Sequence, residues 1–92
     1  MKAAIYNHSL WQEDSGRPGD VRERFKELIL KSGFSIVGFI DHSYDPQGYT
    51  AVWLLAESHL AVHTFPEHGK IYIEISSCNL DMYAKFLRLI ER

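Results

Sequence analysis

Ile71, Ile73 and Ile75 alternate with Tyr72, Glu74 and Ser76, the period-two signature of a strand covered on at least one face. Tyr49 to Ala56 is nearly all apolar or β-branched and predicts a buried strand. Phe34 to Ile40, rich in Phe, Ile and Val, predicts another, and His59 to Phe65 also reads as extended. Asp45-Pro46-Gln47-Gly48 and the stretch from Pro66 to Gly69 carry turn residues between these runs. The apolar period lengthens in two places. Val21, Phe25, Leu28 and Ile29 predict a helix over 20–32, preceded by the turn Arg17-Pro18-Gly19, opened by Asp20 with Glu23 as a capping box, and stopped at Gly33. Leu80, Tyr83, Ala84, Leu87 and Ile90 form the apolar stripe of a last helix that Asn79 can cap. Ile5-Tyr6 marks a weak first strand.

The order is therefore (β)-α-β-β-β-α. Hairpin-linked strands with two helices predict an α+β, two-layer sandwich: a mostly antiparallel sheet with both helices on one face. The other face must meet water, a ligand or a second subunit. Since 50–56 (Thr-Ala-Val-Trp-Leu-Leu-Ala) has no polar side to give to water, a two-fold homodimer is expected. At 92 residues, 46% apolar and 24% charged, the chain has the size and balance of one globular domain, 1–92. No apolar run is long enough for a membrane span, and Met1–Asn7 has no signal-peptide pattern. A single cysteine excludes an internal disulfide and a four-cysteine zinc site, so a reducing, cytoplasmic setting is expected.

A net charge of −2 argues against nucleic acid as a partner. Its distribution matters more than its sum. Lys and Arg fall in 1–31 and 70–92, whereas 32–69 has none and carries Asp41, Asp45, Glu57 and Glu67. An acidic segment without counter-charges suits a cationic ligand, or is simply a solvated face.

Chemistry concentrates in Leu55-Ala56-Glu57-Ser58-His59-Leu60-Ala61-Val62-His63-Thr64-Phe65-Pro66-Glu67. Strand alternation puts His59, Ala61 and His63 on one face and Ser58, Leu60, Val62 and Thr64 on the other. The histidines are thus no helical zinc pair, and a metal site built from His42, His59, His63 and His68 follows no ligand spacing. Ser58 lacks the G-x-S-x-G elbow of a hydrolase. Cys78 reads either as a small buried apolar residue or as a thiol activated just before a helix.

Ala56-Glu57-Ser58-His59-Leu60, His63-Thr64-Phe65-Pro66-Glu67 and Cys78, together with the leading Asp45-Pro46-Gln47-Gly48-Tyr49-Thr50, resemble the core of the bacterial and archaeal S-adenosylmethionine decarboxylase family over roughly 34–80. The resemblance implies a proenzyme that cuts itself between Glu57 and Ser58. Ser58 attacks the Glu57 carbonyl, an ester forms, and β-elimination followed by hydrolysis leaves a pyruvoyl group at position 58. It implies His63 as a base in the elimination, Cys78 as the donor that returns a proton to the substrate α-carbon, and Glu67 near the substrate ribose, with Phe65 and Thr50 as further substrate contacts. The self-made pyruvoyl group draws electrons from the bound amino acid so that CO2 leaves, which places the activity in spermidine and other polyamine synthesis. A sulfonium substrate suits the acidic middle segment and aromatic faces, for which Tyr6, Trp11, Trp53 and Phe65 are candidates.

Some positions depart from that pattern. Tyr6-Asn7-His8-Ser9-Leu10-Trp11-Gln12 replaces the family's Asp-containing first strand and its cysteine. Ser76-Ser77-Cys78-Asn79 lacks the aromatic residue usual before the cysteine, and the family's chains usually continue past the position of Arg92. These departures define the alternative: a non-processing relative that acts as a binding or regulatory partner.

Overall fold

The computed structural model describes residues 4–14 and 17–91. Strand β1 (Tyr6–Glu13) is followed by helix α1 (Pro18–Lys31), strands β2 (Ile36–Ser43), β3 (Tyr49–Leu55) and β4 (Ser58–Phe65), a 3-10 turn (Pro66–His68), strand β5 (Lys70–Ser77) and helix α2 (Leu80–Ile90). The five strands form one sheet in the order β1-β5-β4-β3-β2, antiparallel at every step. The two edge strands are joined through α1.

Alternation divides the sheet cleanly. Tyr49, Ala51, Trp53 and Leu55 of β3, Leu60 and Val62 of β4, and Ile71, Ile73 and Ile75 of β5 are buried under the helices. Val21, Phe25 and Ile29 of α1 and Phe86 and Ile90 of α2 complete this core. Phe25 and Phe39 flank the Trp53 ring at centroid distances of 6.4 and 4.9 Å. Among the described residues, none forms a layer over the opposite face. There Ile40 is 71% exposed, Leu54 55% and Trp11 57%.

Several boundaries move from where the sequence pattern sets them. α1 begins at Pro18 because proline's fixed φ suits the first helical position; Asp20 then lies inside the first turn, and Arg17, without a side-chain cap, occupies the position expected for Asp20. Gly33, at φ 96°, stops the helix as expected, its N–H donating to the Leu30 carbonyl. β1 is a full eight-residue edge strand and not a weak fragment, because each residue from Tyr6 to Glu13 finds a partner along β5. In α2, Asn79 accepts the Met82 N–H as expected, but the inward stripe runs through Phe86 and Ile90 while Leu80 is half exposed. The acidic middle segment is not without counter-charge. Asp41 accepts a 2.6 Å hydrogen bond from the Tyr49 hydroxyl and lies 3.9 Å from Arg22 of α1. Burial, reinforced by Asp41, pushes the Tyr49 phenol up to about 12, so it stays a neutral donor. No helix among the described residues is long and apolar enough to cross a membrane.

Trp53→Ala empties the centre of the core, where the ring is 2% exposed. The expected loss is about 3–5 kcal/mol of unfolding free energy, read by urea denaturation; a loss below about 1 kcal/mol would mean that Trp53 is not the keystone of this layer.

Candidate active site

Two residues, Ala56 and Glu57, turn β3 into β4, and Leu55 pairs directly with Ser58 across the turn. Such tightness demands a left-handed residue. Here it is Glu57, at φ 60°, the one non-glycine residue with positive φ among those described. An L-residue held there stores on the order of 1–3 kcal/mol of backbone strain, and strain of this kind clusters at functional sites. It falls on the residue that carries the carbonyl of the Glu57–Ser58 bond.

Two side chains with reactive groups lie beside that bond, Ser58 by sequence and Cys78 by contact. Ser58, 6% exposed and on the helix-covered face, donates from Oγ to Ser77 Oγ at 2.8 Å. Ser77 sits opposite it on β5. Cys78, the next residue, brings its Sγ to 3.3 Å from the Glu57 carbonyl oxygen and 3.4 Å from Glu57 Oε2. The hydrogen bond to Glu57, with smaller contributions from desolvation and from the Glu57 charge, raises the Cys78 pKa above the ordinary 9.0. The thiol therefore stays protonated at neutral pH and can donate its one hydrogen to the carbonyl oxygen. Sequence reasoning put Glu57, Ser58 and Cys78 together, and the structure places them around one peptide bond. It missed Ser77, whose only advance signal is that it precedes Cys78 on a strand.

His63 lies elsewhere. It is five residues along β4 from Ser58, roughly 17 Å at a strand's rise, and on the open face. Its Nδ1 is 2.9 Å from Thr50 Oγ1 across the ladder, and its ring stacks on Tyr72 at 6.1 Å. Thr50, His63, Phe65 and Glu67 share one hollow of about 310 Å³ with Tyr44 and Gln47, and Gln47 Nε2 donates to Glu67 Oε2 at 3.1 Å. The structure thus brings together the three residues expected at the substrate, Thr50, Phe65 and Glu67, adds Tyr44 and Gln47 from the β2–β3 turn, and places His63, expected beside Ser58, with them and away from Ser58 of the same chain, because the two leave β4 by opposite faces. A larger hollow of about 570 Å³ also borders Phe65 and is lined by Trp11, His68 and Lys70. Of the aromatic faces considered for a cation, Phe65 borders both hollows and Trp11 the larger, whereas Trp53 is sealed in the core and Tyr6 packs on Tyr83 at 5.7 Å. His42, His59, His63 and His68 do not assemble; among the described residues no group of three His, Cys, Asp or Glu is placed to hold a metal ion.

Residues 12–92 match the family model described as S-adenosylmethionine decarboxylase. The chain is 39% identical over 72 residues to the S-adenosylmethionine decarboxylase proenzyme of Geobacillus sp. (strain WCH70), which covers 75% of this chain and 58% of the relative. It is 42% identical over 58 residues to the proenzyme of that name from Parasynechococcus marenigrum, covering 63% and 45% respectively. The chain thus spans a little over half the length of the curated relatives it matches. The crystal structure of the adenosylmethionine decarboxylase from Aquifex aeolicus superposes with a TM-score of 0.76 at 24% identity, over 94% of this chain and 73% of that one, which shows the fold.

The Cys78 thiol can be titrated by its rate of alkylation with iodoacetamide in a Ser58→Ala chain, which keeps the Glu57–Ser58 bond whole. Adding Glu57→Gln removes the carboxylate that favours the protonated thiol, so the midpoint of the rate profile is expected to move to lower pH. An unchanged midpoint would show that Glu57 does not hold the thiol.

Proposed function

Since the chain belongs to the S-adenosylmethionine decarboxylase family, we propose that it is a self-processing proenzyme that cuts its own Glu57–Ser58 bond and then decarboxylates S-adenosylmethionine in polyamine synthesis. The observation that carries this reading is that the left-handed Glu57 is followed directly by a buried serine hydroxyl and has the Cys78 thiol 3.3 Å from its carbonyl oxygen.

The geometry supports the cut step by step. Attack by Ser58 Oγ on the Glu57 carbonyl carbon closes a five-membered ring within one peptide unit, so proximity is built in. The Cys78 thiol donates to the oxygen that gains negative charge. The C–N bond then breaks, the hydroxyl proton ends on the Ser58 nitrogen, and an ester joins Glu57 to the Ser58 side chain. Collapse of the left-handed turn when the C–N bond breaks releases the strain at Glu57 and favours the forward direction. Removal of the residue-58 α-proton expels the Glu57 carboxylate, and the dehydroalanine left behind hydrolyses with loss of ammonia to a ketone. The residues fit a pyruvoyl group at position 58, because β4 starts there and the group needs no ligand beyond the chain itself. That group supplies the electron sink for loss of CO2. Cys78, adjacent to it, is the proton donor. Phe65 and Tyr44 offer aromatic faces to the sulfonium, and Glu67, held by Gln47, offers a carboxylate to the ribose hydroxyls.

His63 cannot serve Ser58 from within its own chain. The open sheet face, with Ile40, Leu54 and Trp11 exposed on it, is the surface a second copy would cover. In a two-fold homodimer each copy presents its Glu57–Ser58 turn to the hollow of the other, and His63, oriented by Thr50, reaches the partner's site through Nε2. Two processed chains, 1–57 and 58–92, make up each half. The reaction belongs in the reducing cytoplasm, where the lone Cys78 remains a thiol.

Mixing inactive variants tests both the cleavage and its geometry. Ser58→Ala has no nucleophile, and His63→Ala lacks the base, so each alone is expected to stay intact or to cleave slowly. After the two are unfolded and refolded together, the His63→Ala chain is expected to cleave, because its Ser58 then meets a partner that retains His63. If the mixture cleaves no faster than His63→Ala alone while the wild type cleaves, the two-copy site is wrong. If the wild type never cleaves, the proenzyme reading is wrong and the non-processing alternative stands.

A further inference from the structure

The strongest unassigned feature is the hydroxyl behind Ser58. Ser77 is 1% exposed, and every hydrogen-bonding capacity of its side chain is used. Its Oγ accepts the Asn79 N–H at 3.0 Å and donates to the Asn79 carbonyl at 3.4 Å. A serine hydroxyl has one hydrogen and two lone pairs. With its hydrogen committed to Asn79, the 2.8 Å contact with Ser58 can carry only the Ser58 hydrogen. The direction of the Ser58–Ser77 bond is thereby fixed by backbone groups of residue 79, at the point where α2 begins.

We infer that Ser77 is a positioning residue for the cleavage: it draws the Ser58 hydrogen toward β5, so that the lone pairs of the nucleophile are turned to the Glu57 carbonyl. This rests on the self-processing reading above and deepens it. Ser77 forms no covalent bond. In the acyl shift the Oγ–H and C–N bonds of Ser58 break, the Oγ–C bond forms, and the proton ends on the amine; Ser77 sets the rotamer from which this starts. A Ser58 freed from Ser77 would rotate among its three staggered positions and aim its hydrogen at whatever acceptor it met.

The experiment follows the disappearance of the intact chain by mass spectrometry in freshly refolded wild type, Ser77→Ala, Ser77→Cys and Ser77→Thr, with and without hydroxylamine, and with circular dichroism to confirm folding. Ser77→Ala is expected to slow cleavage about tenfold or more, the scale of one lost hydrogen bond. Ser77→Cys, which fills the same space with a poor acceptor, is expected to slow it as well and decides the matter if the alanine chain does not fold. Ser77→Thr restores the hydroxyl and is expected to restore the rate. Hydroxylamine, which attacks esters, is not expected to rescue the slow variants, because the ester itself forms late. Alanine or cysteine chains that fold and cleave at the wild-type rate, or that hydroxylamine restores fully, overturn the inference and leave the proenzyme reading intact. A wild type that never cleaves overturns both.

Discussion

A two-residue turn that forces an L-glutamate into the left-handed region is the constraint from which the rest of this site follows. Because Leu55 and Ser58 pair directly, no slack remains to relax Glu57. The turn presents the Glu57 carbonyl to Cys78 and sets Ser58 as the first residue of β4, facing the covered side of the sheet. The end of β5 then supplies Ser77, bonded to Ser58, and the next residue, Cys78, at the Glu57 carbonyl. The register of three antiparallel strands thus assembles the chemistry around a single bond.

The same alternation that builds this cluster divides the site. Side chains of opposite parity on β4 leave by opposite faces, so Ser58 and His63 diverge. The helix-covered face holds Ser58 and Ser77; the open face holds His63, Thr50, Phe65 and Glu67 around a hollow that Tyr44 and Gln47 of the β2–β3 turn also line. An uncovered face rich in apolar side chains and half of a catalytic constellation are, on this account, one fact seen twice. The proposed second copy of the chain answers both.

Much of this was legible in the sequence. The alternation of Ile71, Ile73 and Ile75 marks β5, and the opposite parity of Ser58 and His63 follows from their spacing alone. The capping of α2 by Asn79 and the stop at Gly33 also followed from residue type alone. What could not be read were features set by tertiary partners. β1 owes its length to pairing with β5, not to its own mixed composition. α1 starts at Pro18 because the local capping preference of Asp20 lost to the fixed φ of proline. Asp41 looked like uncompensated charge until α1 brought Arg22 alongside and β3 brought Tyr49. Ser77 had no motif of its own, and its role appears only when the hydrogens of three neighbouring groups are counted. The left-handed Glu57 was hidden as well, since the sequence shows no glycine or asparagine at the turn.

The central claim is that the bond following the left-handed Glu57 is opened by the hydroxyl next to it. The most direct measurement is the intact mass of the wild-type protein under denaturing conditions, followed from the moment of folding. The account requires two chains, 1–57 ending in a free carboxylate and 58–92 lighter by one ammonia than a serine-started peptide and blocked at its N-terminus. A single undivided mass that persists through prolonged incubation of the folded protein would contradict it.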